Sequence, residues 1–63
     1  MKSIMKIDYY SVFEAYKAHR LLEELDGIPR IRDHGYGKLQ FTITRDEYDY
    51  LKLHGVGFMI LQP

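Results

Sequence analysis

The chain has 63 residues, of which nine are basic and nine acidic, and it contains no cysteine. A chain this short forms one domain at most, and without cysteine it has no disulfide or thiolate zinc site to stabilise it. Because the charges cancel, no overall field gathers nucleic acid or membrane around it. The N-terminus does not resemble a signal peptide, and no apolar run approaches the roughly 20 residues that span a bilayer. We therefore expect one domain, residues 1–63, in the cytoplasm.

The first predicted strand covers residues 3–10. Met5, Ile7 and Tyr9 alternate there with Lys6, Asp8 and Tyr10. This period of two is typical of a strand that buries one face and exposes the other.

The first helix is predicted over residues 12–26. Ser11 and Glu14 have the spacing of a capping box, in which each side chain bonds a backbone amide of the other residue. Gly27 can take the left-handed conformation that ends a helix, and the apolar residue after it can pack back. We expect His19 on the surface, beside an apolar stripe of Ala15, Ala18, Leu21, Leu22 and Leu25.

Residues 29–43 are predicted to form two strands joined by a turn. Pro29 cannot donate a hydrogen bond to a neighbouring strand, so the second strand, residues 29–33, is expected at a sheet edge. The turn at 34–37 contains two glycines, and the third strand follows over 38–43.

A second helix and a last strand complete the chain. Thr44 and Glu47 repeat the capping-box spacing, so a helix is expected over residues 45–54, before Gly55. The last strand, 56–62, is apolar on both faces, which indicates a central strand or one that a partner covers.

The resulting order, βαββαβ with short connections, is that of a ferredoxin-like α+β sandwich. Right-handed crossovers then predict an antiparallel sheet in the order 4-1-3-2 with both helices on one face. The opposite face would be bare in a monomer, and it is where we expect function to lie.

An apolar patch on the bare face is the main candidate for a protein interface. The last strand is expected beside the first, which brings Ile4, Met59 and Leu61 together, with Tyr10 and Tyr36 as aromatic contacts at the rim. Scattered apolar surface residues are ordinary, but a small domain gains most from covering such a patch. We therefore expect a homodimer, a larger protein partner, or both.

Residues 34–41 resemble the third-strand signature of the RNA-recognition motif family. The match places Tyr36 outward, where a base would stack. Histidine replaces the usual basic residue, and Lys38 stands where a second stacking aromatic is expected. The resemblance implies single-stranded RNA binding as the alternative function. Its candidate residues are Lys6, Arg30, Arg32, Tyr36 and Lys38.

A second resemblance covers about a third of the chain. The residues that carry it are Glu14-Ala15, Leu21-Leu22-Glu23, Gly27-Ile28-Pro29 and Arg30-Ile31-Arg32. They are similar to those of small signal-transducing βαββαβ domains, in which a leucine-rich first helix ends in a Gly-Ile step. The similarity implies a regulatory, non-catalytic role and carries over no ligand-binding residue.

Catalytic and metal sites are not indicated. His19 and Glu23 are four residues apart on a predicted helix, but two ligands do not make a site, and His34 and His54 lie elsewhere. No nucleophile stands beside a base, and no glycine-rich loop leads into a helix. We expect a chain that is not an enzyme and holds no cofactor.

The favoured hypothesis is a small regulatory or inhibitory protein-binding module that acts through the open sheet face and the outer, last strand. A phage- or plasmid-encoded inhibitor and a bacterial regulatory subunit are both compatible with it. A regulatory domain that senses a small ligand between two protomers is a further alternative.

Overall fold

The computed structural model describes residues 4–30 and 37–62. Two helices and three strands alternate along the chain, as β1 Ile4–Tyr9, α1 Val12–Asp26, β2 Gln40–Thr44, α2 Arg45–Leu53 and β3 Phe58–Gln62. The strands form one antiparallel sheet in the order β2-β1-β3, with β1 in the centre. Neither helix is long and apolar enough, within the described part of the chain, to cross a membrane.

The predicted ferredoxin-like sheet, with four strands in the order 4-1-3-2, is wrong. The described residues form three strands and a small α+β fold. The second strand was expected to begin at Pro29, but Pro29 and Arg30 have irregular backbone, and residues 31–33 lie outside the described residues.

Side chains of both helices explain why residues 29 and 30 are not in a strand. The backbone N–H of Arg30 donates to Glu23 Oε2 at 2.6 Å. Its guanidinium binds Asp26 at the end of α1 and Glu47 in α2. Residues 29 and 30 are therefore held against the helices. The backbone N–H of Arg30, which would bond a neighbouring strand in a sheet, bonds the Glu23 carboxylate instead.

The core lies between the helices and one face of the sheet. Met5, Ile7 and Tyr9 of β1 are buried, whereas Ile4, Lys6 and Tyr10 are exposed. The helices cover the buried face of β1 with Ala15, Ala18, Leu22 and Leu51. The remaining core side chains come from β2, β3 and the loop before β3: Ile43, Phe58 and Val56. The fully buried alanines let the α1 backbone approach the sheet closely.

Only one of the two expected capping boxes is complete. In α2, Thr44 Oγ1 accepts from the Glu47 N–H at 3.2 Å, and Glu47 Oε1 accepts from the Thr44 N–H at 2.7 Å. In α1, Ser11 Oγ accepts from the Glu14 N–H, but the Glu14 carboxylate accepts from the N–H of Gly57 instead, at 2.7 Å. A tertiary contact has replaced the local one.

Glycines end both helices, but with different packing. After α2, the Gly55 and Val56 N–H groups donate to Lys52 and Leu51, with Gly55 at φ +74°, which is a Schellman motif. Val56 and Leu51 are both buried. After α1, Gly27 takes φ +73°, but Ile28 is exposed, so the expected packing after the first glycine does not occur.

Candidate functional site

The outer edge of β3 is the most apolar exposed feature of the sheet. β3 pairs only with β1 among the described strands. Three consecutive side chains remain partly open to solvent, with Met59 52%, Ile60 42% and Leu61 38% exposed. β2 is also at an edge of the described sheet, but its exposed residues Gln40 and Thr42 are polar.

The three apolar side chains of β3 lie on both sides of the sheet. Ile60 pairs with the buried Ile7 and therefore shares the face that the helices cover. Met59 pairs with Asp8 and shares the open face. The pairing shifts between Lys6 and Ile7, opposite Leu61, so the ladder is irregular there. A partner strand added at this edge would contact apolar groups above and below the sheet.

Four of the five predicted interface residues are exposed. Ile4, Tyr10, Met59 and Leu61 are all accessible, and Tyr36 lies outside the described residues. Their exposure is compatible with an interface, and their role remains a prediction.

Tyr10 also has a structural contact that the sequence did not reveal. Its N–H donates to the Gly57 carbonyl at 3.2 Å, and its ring covers the position where a Gly57 side chain would begin, with Cδ2 2.8 Å from an ideal Cβ. The Glu14 carboxylate accepts a hydrogen bond from the N–H of the same glycine. This hydrogen bond lowers the pKa of the Glu14 carboxyl more than the nearby Lys17 does. Tyr10 and Glu14 thus fix the start of β3.

The three predicted nucleic-acid residues that the structure describes do not share one surface. Lys6 is exposed on the open face. Arg30 is occupied by two carboxylates on the helical side, and the Lys38 ammonium lies 4.8 Å from the centroid of the Phe41 ring. Arg32 and Tyr36 lie outside the described residues. The expectation that Arg30 would stand on the open face with Lys6 does not hold.

The placement of His19 also differs from expectation. His19 is buried, and its ring meets the Phe41 ring edge-on with centroids 4.6 Å apart. His54 follows α2 and contacts the Tyr50 ring, while His34 lies outside the described residues. Within residues 4–30 and 37–62, no group of three or more His, Asp or Glu side chains is arranged to hold a metal ion.

A cavity of about 180 Å³ lies between α1, β1 and β2, on the helical side of the sheet. Leu22, Phe41 and Ile43 form apolar walls, and Tyr9, His19 and Arg30 also line it. Thr42 also lines it. Burial raises the pKa of the Tyr9 phenol, and the negative charge of Glu47 raises it further.

Sequence reasoning missed the polar groups around this cavity. Tyr9 lies on the inward face of the first strand, as its alternation with Asp8 and Tyr10 predicts, but that alternation does not show that its hydroxyl is buried as well. His19 follows Ala15 by four residues and precedes Leu22 by three, and this spacing along one helix face is the sequence signal for its burial. The partners of the Arg30 guanidinium are 4 and 17 residues away, and no local pattern marks the longer pairing.

Comparison with protein-family models, with curated proteins and with solved structures finds no match. The resemblances to signal-transducing domains and to the RNA-recognition motif therefore remain predictions.

Proposed function

We propose that this chain is a non-enzymatic regulatory binding module that forms a homodimer by pairing the outer edges of two β3 strands. The observation that carries the proposal is the row Met59, Ile60 and Leu61, exposed on an edge strand that pairs on one side only among the described strands. Adding a strand to such an edge uses main-chain hydrogen bonds for affinity and side chains for specificity.

The composition of β3 favours pairing over isolation. Monomeric proteins usually protect an edge strand with charged side chains, proline or a strong twist. Phe58–Gln62 contains neither a charged residue nor a proline. The strand therefore lacks charge and proline, two of the common devices that prevent edge-to-edge association.

A two-fold axis at Ile60 would give a self-complementary pairing. Antiparallel strands related by this axis place Ile60 opposite its own copy and Met59 opposite Leu61. Because the strand is uncharged, no like charges meet in this register. Met59 of each protomer lies opposite Leu61 of the other, so the axis forms this apolar pair twice. The two sheets would then continue as one sheet of six strands.

The proposed regulatory role follows from the same edge. A module that pairs through backbone groups can exchange its own copy for an exposed strand of a larger protein, which gives an inhibitor or a regulatory subunit its means of docking. Single-stranded nucleic acid is the competing partner class.

The first experiment measures oligomeric state by sedimentation at several protein concentrations. The wild type should be a dimer, and the double variant Met59→Asp/Leu61→Asp should be a folded monomer by circular dichroism, because four like charges would meet at the paired edge. The control Gln40→Asp/Thr42→Asp adds the same charge to the edge of β2 and should leave the dimer intact. A wild type that stays monomeric at millimolar concentration contradicts the proposal, most clearly if it binds mixed oligonucleotides at low salt.

The second experiment tests the register. Paired antiparallel residues have Cα atoms about 4.5–5.5 Å apart, within the range that a disulfide requires. Since the chain has no cysteine, Ile60→Cys should give a covalent dimer under mild oxidation. Thr42→Cys should not. Equal cross-linking of the two variants would rule out the Ile60 axis.

A further inference from the structure

We infer that two of the proposed dimers stack through the open faces of their sheets, so that the open face of each dimer is covered by a second copy and the assembly is a tetramer. The inference rests on the proposed pairing of β3 edges, because that pairing fixes where the symmetry axes lie. It adds a second interface, centred on β1, to the one made by β3.

β1 carries one cation and one anion on the open face of the sheet. Met5, Ile7 and Tyr9 are buried against the helices, so the alternating residues Lys6 and Asp8 lie on the opposite face. The residues that pair with these two across the sheet are all uncharged: Thr42, Gln40, Gln62 and Met59. Within the described part of the chain, neither charge takes part in an ion pair. Two opposite charges in the middle of the open face are therefore available to a partner.

The register of the sheet places these charges symmetrically about the proposed axis. Ile60 pairs with Ile7, so the two-fold axis at Ile60 lies level with the midpoint between Lys6 and Asp8. A second two-fold axis, crossing the strands at this level, lays each β1 antiparallel over the β1 of another protomer. Lys6 of each protomer then faces Asp8 in the other sheet.

The tetramer therefore contains four pairs of opposite charge. Sheets that pack face to face lie about 10 Å apart, with their strands within about 30° of each other. A lysine side chain and an aspartate side chain together span that distance. A parallel stack would place like charges opposite each other, so the charges select the antiparallel one.

Apolar side chains beside the charges supply the attraction. Met59 pairs with Asp8 and is 52% exposed, and Ile4, two residues before Lys6, is 59% exposed. Because β1 is the central strand, pairing at the β3 edge leaves Ile4 in water, whereas stacking covers it. Burial of apolar area favours association, and charges that leave water are tolerated only where each one is matched. A second copy in this register meets both requirements.

Sedimentation at increasing protein concentration tests the stack. The wild type should pass from dimer to tetramer. Lys6→Glu should remain a dimer, with a dissociation constant between dimers about 100-fold higher, because four attractive pairs become four repulsive ones. The matched control Arg20→Glu reverses an exposed charge on α1 and should leave the tetramer unchanged.

Reversing both charges separates the proposed contact from a loss of folding. Lys6→Glu/Asp8→Lys restores all four opposite pairs and should form the tetramer again, which a misfolded variant would not do. An equal mixture of Lys6→Glu and Asp8→Lys should also form tetramers, since one dimer then carries only carboxylates at positions 6 and 8 and the other only ammonium groups.

The outcomes distinguish the stack from the dimer on which it rests. A wild type that stays dimeric up to millimolar concentration overturns the inference and leaves the proposed dimer intact, and binding of mixed oligonucleotides to that dimer would assign the open face to nucleic acid instead. A monomeric wild type overturns both. Tetramers of Lys6→Glu as stable as those of the wild type, or no recovery in the double reversal, would also overturn the inference.

Discussion

Replacing Glu47 tests how the segment after α1 is held beside the cavity. One oxygen of this carboxylate accepts from the Thr44 N–H at 2.7 Å and closes the capping box of α2. The other accepts from Arg30 Nη1 at 2.5 Å. The side chains of Glu47 and Arg30 are only 13% and 23% exposed, so solvent screens their attraction less than at an open surface.

The expected loss can be worked out from these two contacts. Removing the Glu47 carboxylate leaves the Thr44 cap in place but breaks the reciprocal hydrogen bond from the Thr44 N–H, which contributes about 1 kcal/mol. A hydrogen bond between charged groups contributes about 1.5 kcal/mol in a partly buried site, and Asp26 continues to pair Arg30 after the change. Glu47→Ala should therefore lower the free energy of unfolding by about 2–3 kcal/mol, out of the roughly 3–5 kcal/mol available to a domain this small. Glu47→Gln keeps an acceptor at the cap and should lose about half as much.

Thermal unfolding followed by circular dichroism measures the effect, and a drop in Tm of about 10–20 °C is expected for Glu47→Ala. Asp49→Ala is the matched control, because Asp49 lies in the same helix and pairs with Arg45, but the two side chains are 58% and 63% exposed. That change should stay within about 0.5 kcal/mol of the wild type. Equal losses for the two variants would refute the assigned role of Glu47.

Three further predictions concern the ends of the elements. The pKa of Glu14 is lowered below its ordinary value of 4.5 in the folded chain, chiefly by the hydrogen bond from Gly57. The ionised carboxylate therefore stabilises the fold above pH 4.5, and this stabilisation is lost as the pH falls through the lowered pKa. The stability of Glu14→Gln, measured against pH in the acid range, should lack this loss. Gly57→Ala should cost about 1 kcal/mol, because the new Cβ displaces the Tyr10 ring, and urea unfolding of the double variant with Tyr10→Ala should show less than additive loss. Gly27→Ala has room for its methyl group but must adopt φ +73°, so a loss of about 1 kcal/mol with unchanged structure is expected by the same assay; no loss would contradict the left-handed assignment.

Local chemistry was enough to locate the two helices and three of the predicted strands. The prediction of residues 12–26 for the first helix agrees with α1, and the second was placed within one residue of its end. Caps, glycines and periodicity act over three or four residues, so a sequence window contains everything they need. The alternation of Met5, Ile7 and Tyr9 likewise identified the buried face of β1.

Contacts between distant residues decided the rest. Pro29 and Arg30 follow a helix and precede an alternating strand, which suits a second strand locally, but Glu23, Asp26 and Glu47 bind Arg30 and hold it on the helical side. Glu14 had a local partner available and instead bonds Gly57, 43 residues away. A polar side chain satisfies its hydrogen bonds with whichever groups the fold brings near, and that choice depends on packing that no short stretch of sequence contains.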